Sequence, residues 1–196
     1  GSTSVEVALK IACQYWQHVG QPERTQFVHL DQAYHGDTLG AVSVGGISLF
    51  HQTFLPLTFP SISAPVPYHS QEGNHLEACL DSMEQIFNEH RGLLAGIIVE
   101  PLVQGAGGMI MHPTGFLKSV EQLSLKYDIL FIVDEVMTGL GRTGRMWACQ
   151  HEEVSPDILC TAKGLTGGYL PLAATLTTEK IYEAFLGDYT QLKTFF

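Results

Sequence analysis

The chain has 196 residues, enough to bury one sizeable core, and its composition of 45% hydrophobic and 15% charged residues with 20 glycines excludes a disordered protein. A formal net charge of −10 without any Lys/Arg cluster argues against a nucleic-acid-binding surface. No apolar run reaches the roughly 18 residues that span a bilayer.

No signal-peptide pattern opens the sequence, and the four cysteines (Cys13, Cys79, Cys149 and Cys160) lie far apart with no CxxC spacing. Reduced thiols and a cytoplasmic location are the expectation. Nine histidines are present, none in HxxxH or HExxH spacing, so no metal site is expected.

Val5, Ala8, Leu9, Ala12 and Trp16 recur at helical spacing behind the run Gly1-Ser2-Thr3-Ser4, and Glu6 completes a helix N-terminus signature. Such an end either holds a phosphate through its free N–H groups and dipole or is an ordinary cap. Gln26 to Leu30 reads as a short strand running into the polar loop Asp31–Thr38, whose one aromatic, Tyr34, either lies on a planar cofactor or belongs to the surface. Residues 40–70 carry too many Gly and Pro for a long helix and read as an irregular excursion over one face.

Leu76 to His90 has helical periodicity, and Leu93 to Val103 reads as a buried strand with Glu100 inside it. A buried acid requires a partner. The flexible loop QGAGGM follows, and Thr114 to Tyr127 is an amphipathic helix that returns the chain to the apolar run Ile129–Val133. Strand, helix, strand at this spacing is a βαβ unit, so the expected class is α/β with a mostly parallel sheet. That run ends in Asp134 and Glu135.

Gly139 to Gly144 (GLGRTG) matches GxGxxG formally, but five residues separate it from the strand and no long helix follows. It is a loop shaped by backbone needs, or one whose Arg142 or Arg145 shapes the site or a subunit contact. A second apolar run, Ile158 to Cys160, leads to Lys163; a strand (Ala173 to Leu176) and a helix capped by Thr177 or Thr178 complete the pattern. Parallel sheets bind ligands beyond the carboxyl ends of their strands, which would bring Asp134 and Lys163 to one rim. An acid and a lysine there suit pyridoxal phosphate, the lysine forming a Schiff base and the acid pairing with the pyridine nitrogen; a strand-end cap and a solvated lysine is the other reading.

Together GSTSVEVALK, YHGDT, IVEPLVQGAGGM, FIVDEVMTGLGRTG and PDILCTAKGLTGGYLPLAATL resemble the class III (ω-type) aminotransferases, pyridoxal phosphate enzymes of fold type I. QYW, Asp37 and TGGYLPLAATL resemble most the biotin-pathway branch, which aminates 8-amino-7-oxononanoate to 7,8-diaminononanoate with S-adenosylmethionine, or lysine in some relatives. The resemblance implies Lys163 as the Schiff-base lysine and Asp134 as partner of the ring nitrogen. It also implies Gly1 and Ser2 at the cofactor phosphate, Tyr34 beside ring and substrate, and Glu100 near the site. Lys163 would be freed in turnover within a dry, cofactor-lined setting and act on substrate as well as cofactor. Residues 1–196 would be the core of the large domain, a fragment lacking the family's N-terminal segment and small domain, and a homodimer would form in the full-length protein. An ornithine, acetylornithine or 4-aminobutyrate type, or an inactive fragment without cofactor, are the alternatives.

Overall fold

A computed structural model of the chain describes residues 1–70, 73–188, 190 and 193. The elements in chain order begin with helix α1 (Ser2–His18), strand β1 (Gln26–Leu30), two short helices α2 (Leu39–Ser43) and α3 (Ser48–His51), and a 3-10 turn (Gln52–Leu57). Strand β2 (Ile62–Ala64), the short pair β3 (His69–Ser70) and β4 (Gly73–Asn74), helix α4 (Leu76–Glu89) and strand β5 (Leu94–Val99) follow. Next come the pair β6 (Val103–Gln104) and β7 (Ile110–Met111), helix α5 (Phe116–Tyr127), and strands β8 (Leu130–Asp134) and β9 (Ile158–Thr161). Strand β10 (Ala174–Thr177) and helix α6 (Glu179–Ala184) complete the set.

Six strands form the central sheet in the order β10-β9-β8-β5-β1-β2, parallel throughout except for β10, which runs antiparallel to β9. Every residue of β5, β8 and β9 is buried, the signature of strands covered on both faces. The period of two then divides them between two cores. Ile97, Val99, Phe131 and Val133 pack with Met83 and Phe87 of α4 and Phe116 and Val120 of α5. Ile98, Ile132, Ile158 and Cys160 face the other way, onto Val5, Ala8, Ala12 and Trp16 of α1. The indole N–H of Trp16 donates to the Ala95 carbonyl at 2.8 Å, pinning α1 to β5 while satisfying a buried donor.

Three expectations are corrected. The 40–70 stretch contributes β2, an edge strand of the main sheet in which only Ala64 is buried, too short to carry a periodicity. The Leu93–Val103 run is broken: the strand stops at Val99, Pro101 cannot continue the ladder, and Leu102 adopts φ +65° before β6 begins. Glu100 therefore lies beyond the strand end. Glu6 does not complete a capping box on α1, whose first turn has no side-chain cap. Its carboxylate accepts instead from Thr38 Oγ1 (2.8 Å) and from the N–H groups of Gly40 and Ala41 (both 3.2 Å), capping α2 from outside. Thr178 does occupy the cap position of α6, without a side-chain hydrogen bond.

Because β1, β5, β8 and β9 are parallel, the loops that leave them emerge at one edge of the sheet, and the start of α1 lies against the same edge. Among the described residues no helix is long and apolar enough to cross a membrane.

Candidate active site

Strand β8 delivers two carboxylates to the edge and sends them in different directions. Asp134, 5% exposed, has Oδ2 accepting from His35 Nδ1 at 2.7 Å and Oδ1 accepting from the Val136 N–H at 3.0 Å. Glu135 is fully buried and turns into the following loop, accepting from Thr138 Oγ1 (2.7 Å) and the Cys149 N–H (2.9 Å). A carboxylate oxygen only accepts, so Nδ1 of His35 carries the proton. The His35 side chain is itself wholly enclosed, and its Nε2 has no hydrogen-bond partner among the described residues.

Asp134 is in register with Cys160 of β9, and Lys163 lies three residues beyond it on a single 3-10 turn (Lys163–Leu165). Both residues line one cavity of about 290 Å³, together with Gly1, Ser2, Tyr34 and Glu100. A larger cavity of about 760 Å³ adjoins it, sharing Gly1 and Lys163. Lys163 is exposed and stands where the two cavities meet.

The N–H groups of Ser2 and Thr3 open α1 ahead of its first backbone hydrogen bond, from the Ser4 N–H to the Gly1 carbonyl at 2.9 Å, and the positive end of the helix dipole faces the cavity. Gly36 presses on this turn so closely that a Cβ at position 36 would stand 2.1 Å from Ser2 Cβ, and its φ of +119° excludes most side chains as well. Next to it, Tyr34 donates its hydroxyl to Asp37 Oδ2 at 2.9 Å, and its ring lies nearly parallel to that of His51, 8° apart with centroids separated by 6.0 Å. Partial burial and the Asp37 carboxylate raise the Tyr34 phenol above its usual range.

Glu100 finds its partners in the backbone, accepting from the N–H of Gly105 (2.9 Å) and of Tyr34 (3.3 Å). Burial pushes its carboxyl upward, opposed by nearby His35 and by these hydrogen bonds. Thus Glu100 ties two of the loops around the cavity together. Arg142 and Arg145 are exposed and do not line it.

All five residues expected at a cofactor, Gly1, Ser2, Tyr34, Asp134 and Lys163, come together around one cavity. His35 and His51 have no counterpart in the sequence reading. His35 meets Asp134 across 99 positions of chain, a distance at which no spacing rule operates, and its only signal is its place beside Tyr34.

The sequence model of the aminotransferases of class III matches residues 1–196. Adenosylmethionine-8-amino-7-oxononanoate aminotransferases of Geobacter sulfurreducens and Anoxybacillus flavithermus are each 55% identical over the whole of this chain, which spans 45% and 44% of their lengths. The crystal structure of the enzyme of that name from Methanocaldococcus jannaschii superposes with a TM-score of 0.90 at 45% identity, over 98% of this chain and 43% of that one. An amine transaminase from an uncultivated Pseudomonas species, in its PLP-bound form, gives 0.88 at 39% identity over 94% of this chain and 43% of that one. The chain therefore spans less than half the length of the relatives it matches, and it belongs to the class III aminotransferases.

Proposed function

We propose that residues 1–196 form the core of the large, cofactor-binding domain of a pyridoxal phosphate-dependent aminotransferase that converts 8-amino-7-oxononanoate to 7,8-diaminononanoate in biotin synthesis. S-adenosylmethionine is the amino donor in this reading, with lysine taking that place in some relatives. The observation that carries it is the convergence of Asp134, Lys163 and the first turn of α1 on one cavity. The substrate assignment is supported by the names of relatives 55% identical to this chain.

The donor set fits the cofactor. A buried acid with spare lone pairs, an accessible amine and a helix start that presents the N–H groups of Ser2 and Thr3 correspond to its ring nitrogen, aldehyde and phosphate. Pyridoxal phosphate, when bound, supplies an aldehyde that condenses with amines and a ring that takes up the electron pair left when a neighbouring carbon loses its proton. Asp134 would hold the proton on the ring nitrogen, with His35 and the Val136 N–H fixing the carboxylate's orientation. Gly1 and Ser2 would take the phosphate. Tyr34, steadied by Asp37 and His51, would wall the ring and the substrate. Lys163 Nζ would anchor the cofactor and, once displaced by the donor amine, carry the proton away from the donor carbon. Four free cysteines, three of them buried, support a reducing compartment, the cytoplasm.

A homodimer in the full-length protein completes the proposal, covering the exposed apolar side chains near Tyr34. The test is a spectrum with and without added pyridoxal phosphate, followed by assays of 8-amino-7-oxononanoate with each donor. Lys163→Ala should abolish both the yellow absorbance and turnover; a variant that keeps both removes Lys163 from the mechanism. Product from ornithine, acetylornithine or 4-aminobutyrate, and none from the proposed substrates, would overturn the assignment of substrate.

A further inference from the structure

The chemistry above leaves the GLGRTG segment without a task, yet its backbone is held in a costly conformation. Leu140 has φ +61°, a left-handed value that a side chain with a Cβ rarely adopts. Its N–H donates to Met146 O at 2.7 Å, and the N–H of Gly139 donates to Glu135 O at 3.0 Å. There is no slack at Gly139, where a Cβ would fall 2.8 Å from Glu135 O and 2.9 Å from Trp147 Cζ3. Buried Glu135 anchors the same loop at Thr138 and Cys149. The segment leaving β8 just after Asp134 is thus closed on itself, and Leu140 projects from it.

The Leu140 side chain ends against Gly164. A Cβ at position 164 would lie 2.9 Å from both Cβ and Cδ1 of Leu140. Gly164 does not adopt a left-handed φ, so this contact rather than backbone conformation accounts for the glycine. It follows Lys163 directly. On the other side of the lysine, Ala162 is bent to φ −157°, ψ −102°, outside the common basins, and its carbonyl accepts from the Leu165 N–H at 2.6 Å.

We propose that Leu140 is a positioning residue for Lys163: the closed loop braces its side chain against Gly164, and that contact sets where the 3-10 turn presents the lysine amine. The inference deepens the reading of Lys163 as the cofactor lysine and rests on it. It also gives the loop's left-handed leucine a function, because one segment then holds both the acid and the amine in place.

The test is a double-mutant cycle of Gly164→Ala and Leu140→Gly, the second removing the obstructing side chain at a backbone conformation glycine accepts. Two quantities are read by peptide mass spectrometry: pyridoxyl fixed on Lys163 by borohydride at limiting cofactor, and, without cofactor, the rate of reductive methylation of Lys163 relative to Lys118. Gly164→Ala should lower pyridoxyl fixation on the order of 10- to 100-fold, as small displacements of reacting groups do, and should alter methylation at Lys163 but not at Lys118. Leu140→Gly alone, which removes the brace, should lower fixation and alter methylation at Lys163 in the same way, and the double variant should lose less than the two single effects combined, because both act through one contact. A Leu140→Gly or Gly164→Ala protein that matches wild type in both readouts, or two effects that simply add, overturns the proposal. If wild type itself fixes no pyridoxyl on Lys163, the cofactor reading falls, while the methylation cycle still decides whether Leu140 positions the turn.

Discussion

Both oxygens of Asp134 are engaged before any ligand arrives, Oδ2 by His35 and Oδ1 by the Val136 N–H, and each retains a lone pair for a further donor. Asp134→Asn replaces one acceptor with an amide NH₂ that must face either the His35 N–H or the Val136 N–H. The variant should retain some cofactor but turn over at least on the order of 100-fold more slowly, the effect typical of losing one preorganised electrostatic partner. Single-turnover rates at saturating cofactor would show it, and wild-type rates would remove Asp134 from the chemistry. At this scale the acid and the lysine were legible because each closes an apolar run, and Tyr34 because it is the one aromatic of a polar loop. His35 was not, since a pairing over such a separation leaves no local mark. The partners of Glu100 were equally hidden, being backbone N–H groups.

The short β6–β7 pair is tied to the end of β1 by a buried polar chain: His112 Nε2 donates to Gln104 Oε1 at 3.2 Å, and Gln104 Nε2 donates to the Asp31 carbonyl at 2.8 Å. Burial pushes the His112 imidazole down from its ordinary 6.5 to about 4. Between these values the unfolded chain binds a proton that the folded chain refuses, so the stability linked to His112 is complete above the ordinary value and is lost as pH falls towards 4. The loss amounts to at most about 3 kcal/mol. His112→Gln should flatten this dependence, as read from urea unfolding at neutral and mildly acid pH; an unchanged gap between the two conditions would refute the assignment. Long elements such as α1, α4 and α5 were visible as periodicities, with ends misplaced by a residue or two. Strand β2 and the cap that Glu6 gives to α2 were not visible, because three residues carry no period and a cap supplied from another helix obeys no local rule.

The sheet's parallel order could be read from fully apolar strands separated by helices, whereas the antiparallel turn of β10 at the edge could not. One of the segments that leave apolar side chains uncovered adjoins the site: Leu49, Leu55 and Leu57 are 86%, 56% and 66% exposed, and Phe50 of the same segment stands edge-on to Tyr34. Exposed apolar surface of this kind is where the proposed homodimer would make its contact. Replacing the three leucines together by serine should weaken self-association of the full-length protein by more than about 1,000-fold, given roughly 1.5–3 kcal/mol for each buried leucine. Sedimentation measures it, and an undiminished dimer would place the contact elsewhere.

The carbonyl of Ser4, in the first turn of α1, accepts from Thr175 Oγ1 at 2.8 Å and is approached by Cys160 Sγ at 3.5 Å. The beginning of the helix that faces the cavity is thus finished by strands made more than 150 positions later. During synthesis this helix leaves the ribosome early and must wait, its polar start unsealed, until β9 and β10 have followed. On the proposed reading, the vitamin-derived cofactor would be loaded after translation of nearly the whole segment, since Lys163 and the strands that finish this helix start come last.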